Sequence, residues 1–400
     1  MGKWSTILGY EKRGDGIMKK KITNVTVYSI KKEPFKGEVV VEDGIISEVA
    51  KQVKTSCEEI IDGKNGLLFP GFIDAHSHIG LSPEGYGFEY DDVNEMTNPV
   101  TPEVRTEDAF VPTDAALRES ALGGVMIHCV LTGSGNPVGG LGFIAKYTLS
   151  NRTTDKVVRR DIGLKMATGE NPKRVYAEKK LMPVTRMGTA AVIRKYLQDG
   201  LNYIQKKEKT LKEGKPFCEV DIKFETAEKV LKRAIPVRIH CHRAEDMLTA
   251  LRIKKEFGID MVIEHATEYL KIREEIKAAG VPVILGPFMS TRVKVELRDL
   301  TYKTYKAALE DGVLMACMSD HPVFPSQVLR LQAGMAVAYG ASEEGMLRSL
   351  TIMPAQILKI DEEYGSIEKG KRACLCIWNG HPFDSRSHVV WNDQEGWTTL

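Results

Sequence analysis

Six places in the sequence set a metal-ligating or acidic side chain at or just beyond the end of a short apolar run. Asp74-Ala75-His76-Ser77-His78 closes Phe72-Ile73, and His128 closes Val125-Met126-Ile127. Glu170 follows Ile162-Gly163-Leu164-Lys165-Met166, and His240-Cys241-His242 closes Val237-Arg238-Ile239. Glu264-His265 closes Met261-Val262-Ile263, and Ser319-Asp320-His321 follows Val313-Leu314-Met315-Ala316. Imidazole nitrogens and carboxylate oxygens are the donors that suit Zn²⁺ and similar divalent ions. On a strand, residues i and i+2 share a face. His76 and His78 can therefore point the same way, and so can His240 and His242, one as ligand and the other beside it. A single histidine at a strand end is ordinarily a hydrogen-bonded core residue. Several on different strands call for one shared site. His128 reads as wall lining or a substrate contact, and His321, on the face opposite Asp320, as packing.

These side chains meet only if the runs that carry them are neighbours in space. With Phe143-Ile144 and Val281-Pro282-Val283-Ile284 there are eight such runs, and helical patterns at 189–207, 244–257, 267–279, 302–310 and 326–340 separate most of them. Alternating β and α predicts a parallel sheet. Eight units fit a closed (β/α)₈ TIM barrel, in which every C-terminal strand end surrounds one mouth. The chain ends read differently. Ile22, Val25, Val27 and Ile30 suggest a strand, and Val39-Val40-Val41, Glu42-Asp43-Gly44 and Ile45-Ile46 a hairpin, because Asp-Gly accepts positive φ. Leu375-Cys376-Ile377-Trp378 is another short strand, whereas the tail after Val390 offers no clear closing strand. The two ends are expected to pair into one small β-sandwich domain, residues 18–68 plus 356–400, around a barrel at 69–355. Residues 1–17 carry no apolar period and are expected to be a dispensable leader.

Composition limits the partners. The chain of 400 residues has 56 Lys+Arg against 54 Asp+Glu, a net charge of +2, which is no footprint for nucleic acid. No apolar run approaches the ~18–20 residues of a membrane span, and no signal-peptide pattern opens the chain. The seven cysteines are scattered and form no CxxC, as reduced cytoplasmic thiols would be. A small-molecule substrate is the expected partner, with homo-oligomers left open.

Leu68-Phe69-Pro70-Gly71-Phe72-Ile73-Asp74-Ala75-His76-Ser77-His78 closely resembles the opening motif of the metal-dependent amidohydrolases. Gly133-Ser134-Gly135-Asn136-Pro137 and Ser319-Asp320-His321-Pro322 resemble the imidazolonepropionase-related and Xaa-Pro dipeptidase-like branch. The resemblance implies a (β/α)₈ barrel with a small β domain built from both chain ends. It implies metal ligands at His76, His78, His240, His265 and Asp320. Many members carry a carboxylated lysine on strand 3 or 4 that bridges two ions. Here Lys165 lies within the strand and Glu170 at its end, so Glu170 is expected to bridge. Two ions are favoured over one, with zinc first among the candidates. The reaction so implied is hydrolysis of an amide or related C–N bond, with metal-bound hydroxide as nucleophile and Asp320 as general acid/base. Alternatives are a single-metal N-acetyl deacetylase and an Xaa-Pro-type dipeptidase. Deaminases and imidazolonepropionase usually place Glu three residues after the fifth-strand His. Arg243 stands there and argues against those reactions. His242, Arg174, Asn136 and His128 are the expected substrate contacts, with Arg186 and Arg243 as further cations that can clamp a carboxylate.

Overall fold

The computed structural model describes residues 19–398, so the leader expected over residues 1–17 lies outside the described residues. The strands in chain order are β1 (Lys19–Val27), β2 (Phe35–Glu42), β3 (Ile45–Ala50), β4 (Glu59–Pro70), β5 (Phe72–Ser77) and β6 (Val125–Val130). There follow β7 (Val138–Leu141), β8 (Phe143–Lys146), β9 (Val157–Arg159), β10 (Leu164–Ala167), β11 (Val237–Cys241) and β12 (Met261–His265). The last are β13 (Val283–Leu285), β14 (Met315–Cys317), β15 (Leu375–Trp378), β16 (Val389–Asn392) and β17 (Gly396–Trp397). No helix among the described residues is long and apolar enough to cross a membrane.

The chain ends build one seven-stranded sheet, in the order β17-β16-β15-β4-β1-β2-β3. The joint is β4, parallel to β1 and antiparallel to β15. Alternating apolar residues give this sheet one buried face, where Ile22, Val25, Val27, Val39, Ile46, Leu68, Ile377 and Trp391 pack together. Asp43 and Gly44 both have positive φ (49° and 77°), which is the turn that a two-residue hairpin requires. The tail does close the sheet. Trp391 pairs with Trp397 and Cys376 with Asn392, so β16 and β17 form a hairpin on β15. With only four and two residues, these strands leave little periodicity to read.

The middle of the chain holds two further sheets. One runs β14-β13-β12-β11-β10-β7 and the other β5-β6-β8-β9. Strands β10 to β14 are parallel and buried on both faces, which accounts for their largely apolar content, broken by Lys165, Arg238, His240, Glu264 and His265. Each of the eight expected runs forms a strand. The third departs from the expected parallel order: β8 is antiparallel to β6. Beside it, β7 lies antiparallel against β10 within a glycine-rich segment that shows no apolar run. A Cβ at Gly140 would meet Val104 at 2.4 Å, so this strand is held by close backbone approach.

The two sheets meet where β5 faces the residues after β14. Asp320 N–H donates to His76 O (3.2 Å) and His78 N–H to His321 O (2.9 Å). Below that contact, Ala75 packs with Val262, Ile284, Ala316 and Met318. The buried Asp74 carboxylate accepts from Ser319 N–H (3.1 Å), from the Ser319 hydroxyl and from the Ser326 hydroxyl (2.9 Å). Asp74→Ala would leave those donors buried without partners, at about 1–3 kcal/mol for each unsatisfied group. We expect a clear drop in the urea midpoint and a weaker hold on the segment carrying Asp320. An unchanged midpoint would show that this tie carries no stability.

Candidate functional site

The C-terminal ends of five strands converge on one buried cluster of imidazoles and charges. β5 and the residue after it bring His76 and His78, and β10 brings Lys165. β11 and the residue after it bring His240 and His242, β12 brings Glu264 and His265, and the chain beyond β14 brings Asp320. In two groups, His76, His78, Asp320 and His240, His242, His265, the donor atoms lie within 4.8 Å of one another. The His76 and His265 rings, 5.5 Å apart, join the groups. Backbone strain marks the place. His265, Ala266 and Asp320 have φ of 71°, 44° and 54°, which non-glycine residues adopt only where their surroundings hold them.

Hydrogen bonds behind the rings set their tautomers. His78 Nδ1 lies 2.7 Å from Leu131 O, and His265 Nδ1 lies 2.9 Å from Gly286 O. A carbonyl only accepts, so these Nδ1 atoms carry the proton and Nε2 keeps its lone pair. Such support is typical behind metal-ligating imidazoles. His76 Nδ1 lies 2.8 Å from Glu264 Oε2, a close contact without the alignment of a hydrogen bond. His242 Nδ1 lies 2.8 Å from the Thr267 hydroxyl, which can donate or accept.

At the front of the cluster, imidazole nitrogens face a carboxylate. His78 Nε2 lies 3.1 Å from Asp320 Oδ1, and burial lowers the pKa of His78. A neutral His78 with its proton on Nδ1 thus turns a lone pair toward a carboxylate oxygen. His240 is 3% exposed, and neither of its ring nitrogens has a hydrogen-bond partner. Burial, then the neighbouring His265 and His242, keep it neutral. Lone pairs that converge without protons between them, in a nitrogen and oxygen donor set, fit a divalent metal ion.

Beneath the imidazoles lies a charge hub that the motif reading did not include. Glu264 accepts from Lys165 Nζ (2.9 Å) and Arg238 Nε (2.8 Å) as well as facing His76. Lys165 Nζ is also 3.4 Å from His76 Nε2. Arg238 goes on to Ala75 O (2.8 Å) and Cys129 Sγ (3.3 Å). One signal was available: Lys165, Arg238 and Glu264 each interrupt an apolar strand. A charge buried that way must find a partner.

Four of the expected site residues stand apart from the two histidine groups. Glu170 belongs to neither histidine group. Gly169, at φ 80°, turns the chain into the helix Glu170–Glu178, and Glu170 N–H donates to the buried Glu296 carboxylate at 2.8 Å. Asn136 is saturated by other segments: its amide donates to Glu95 O (2.6 Å) and Thr101 Oγ1 (2.8 Å), and its oxygen accepts from Tyr176 (2.6 Å). Arg174 is exposed on the surface of the helix Glu170–Glu178. His128 alternates with Cys129, and it is Cys129 that meets Arg238, so His128 is buried on the other face of β6. His242 does stand beside His240, their ring centroids 4.6 Å apart.

The amidohydrolase family model matches residues 141–399. A crystal structure of an amidohydrolase from Thermotoga maritima MSB8 is 49% identical, with a TM-score of 0.92 over 93% of this chain and 97% of that one. Amidohydrolase tasK of Hapsidospora irregularis is 27% identical over 86% of this chain, which spans only 38% of that protein's length. An imidazolonepropionase of Treponema denticola is 24% identical over 88% of this chain and 87% of that protein.

Proposed function

The chain belongs to the amidohydrolase family, and on that premise we propose that it is a metal-dependent enzyme that hydrolyses an amide or related C–N bond of a small substrate. The observation that carries this reading is the pair of buried histidine groups joined across His76 and His265. The two middle sheets are read as one closed (β/α)₈ barrel, residues 69–355. The terminal sheet is read as a small β-sandwich domain of residues 18–68 plus 356–400. The proposed setting is the cytoplasm.

The family generally binds divalent metal. His76, His78 and Asp320 would hold one ion and His240 and His265 a second, with His242 against the substrate and zinc the first choice. A bound ion supplies Lewis acidity, acidifying a water and polarising the substrate carbonyl. Asp320, ionised and aimed into the cluster, accepts the proton of the attacking water and returns it to the leaving nitrogen as the C–N bond breaks. Glu264, 2.8 Å from His76 Nδ1, sets a negative charge behind that ring. Arg243 pairs with Glu245 at 3.3 Å and stands where ring deaminases and imidazolonepropionase carry Glu, so ring chemistry is not proposed.

Lys165 replaces Glu170 as the proposed bridging group. Its amine can add to carbon dioxide and lose a proton, giving a carbamate with two oxygens at the centre of the cluster. Lys165→Met should therefore lower bound metal and remove most activity, whereas Glu170→Gln should stay within a few-fold of wild type. Metal content, turnover and a native mass shifted by one carbon dioxide check this. The opposite ranking of the two variants would return the bridge to Glu170. The general test is elemental analysis of the purified protein with a screen of dipeptides and N-acyl amino acids, before and after chelation. Full activity without bound metal would end the proposal.

A further inference from the structure

Three loops that leave the C-terminal strand ends are tied by one polar row. Asn171 Nδ2 donates to Ser134 Oγ at 2.8 Å, and Lys294 Nζ donates to Asn171 Oδ1 at 3.3 Å. Ser134 lies beyond β6, Asn171 beyond β10 and Lys294 beyond β13. All three side chains are partly open, Lys294 at 18% exposure.

Lys294 is loosely held. Charge-assisted N–H···O contacts are ordinarily about 2.7–2.9 Å, yet its nearest carboxylate, Glu296, is 3.8 Å away. Glu296 is itself buried and already accepts the Glu170 N–H. An ammonium has three donors, and those of Lys294 are not consumed by two long contacts. The other cations first considered are placed differently: Arg174 is exposed on its helix, and Arg243 is turned to Glu245. Its place beyond β13 puts Lys294 at the same strand ends as the cluster.

We propose that Lys294, with Asn171 beside it, is the binding site for a carboxylate of the substrate, and that the substrates are amides of amino acids whose carboxylate is free. This rests on the amide-hydrolase reading and adds to it the substrate's charge and the residue that selects it. The loops leaving β5, β10, β13 and β14 expose Phe88, Met187, Val293 and Val323, so apolar side chains are suitable in a probe.

The test compares Met-Leu and N-acetyl-leucine with their C-terminal amides, on the metal-loaded full chain. Wild type should prefer the free acids at least tenfold in kcat/KM. In Lys294→Met the KM for the acids should rise roughly 10–100-fold, the scale of a hydrogen bond to a charged group. The acid preference should collapse while metal content equals that of wild type. Lys294→Arg should keep the preference, which separates a charge role from a folding role. A wild type that treats acids and amides alike, or a Lys294→Met protein that keeps the preference, overturns the assignment. Failure of the underlying reading looks different: none of the four probes is hydrolysed. Calorimetric binding of N-acetyl-leucine against its amide then still decides Lys294, since equal affinities in wild type overturn it.

Discussion

His76→Ala should yield a folded chain that retains little divalent metal and shows no measurable amide hydrolysis. His76 is the ring that joins the two halves of the cluster. Its Nδ1 faces Glu264 at 2.8 Å, its Nε2 lies 3.1 Å from Asp320 and 3.4 Å from Lys165 Nζ, and its ring is 5.5 Å from that of His265. Outer groups behind a metal ligand typically account for roughly 10–100-fold in affinity or activity, so loss of the ligand itself should exceed that range. His265→Ala is expected to behave alike, because its Nδ1 is committed to Gly286 O and its Nε2 faces the cluster. Elemental analysis and turnover measure the effect, and circular dichroism checks the fold. A folded His76→Ala protein with normal metal and rate would remove His76 from the proposed ligand set.

The second large effect is expected at Asp320. Asn keeps the shape of this side chain but cannot take up a proton, so Asp320→Asn should lower turnover by about 10²–10⁴, the scale of a general base. The carboxylate lies 3.1 Å from both His76 Nε2 and His78 Nε2. It reaches them because Asp320 adopts φ 54° and its N–H is tied to His76 O. Metal content should fall less than turnover, since the four histidines remain. A variant with a near-normal rate would take the proton-transfer role away from Asp320.

Much of the site is legible from side-chain type and strand alternation. His76, His78, His240, His265 and Asp320 announce themselves by ending apolar runs, and those runs do form the strands whose ends converge. The Glu42-Asp43-Gly44 turn and the pairing of the chain ends are legible for a similar reason: Asp-Gly has few alternatives at positive φ, and one-sided β patterns need a partner face. Glu170 is less legible, because its place next to a strand end says nothing about direction. The positive φ of Gly169 commits it to a helix start, under Glu296 from a segment 126 residues away.

By itself, then, the sequence determined where eight of the strands run and which residue types stand at their ends, nitrogen and oxygen donors of the kind that suit a metal. These follow from local rules, periodicity and side-chain chemistry, that need no knowledge of distant neighbours. Tertiary structure alone decided that Lys165, Arg238 and Glu264 share one buried hub, that Lys294 rather than Arg174 is the loosely paired cation at the strand ends, and that Asn136 is spent on Glu95, Thr101 and Tyr176. Each of these depends on which far segment is brought alongside. A charge in an apolar strand states only that a partner must exist. Closing the chain around the site chooses the partner and leaves Lys294 with donors to spare.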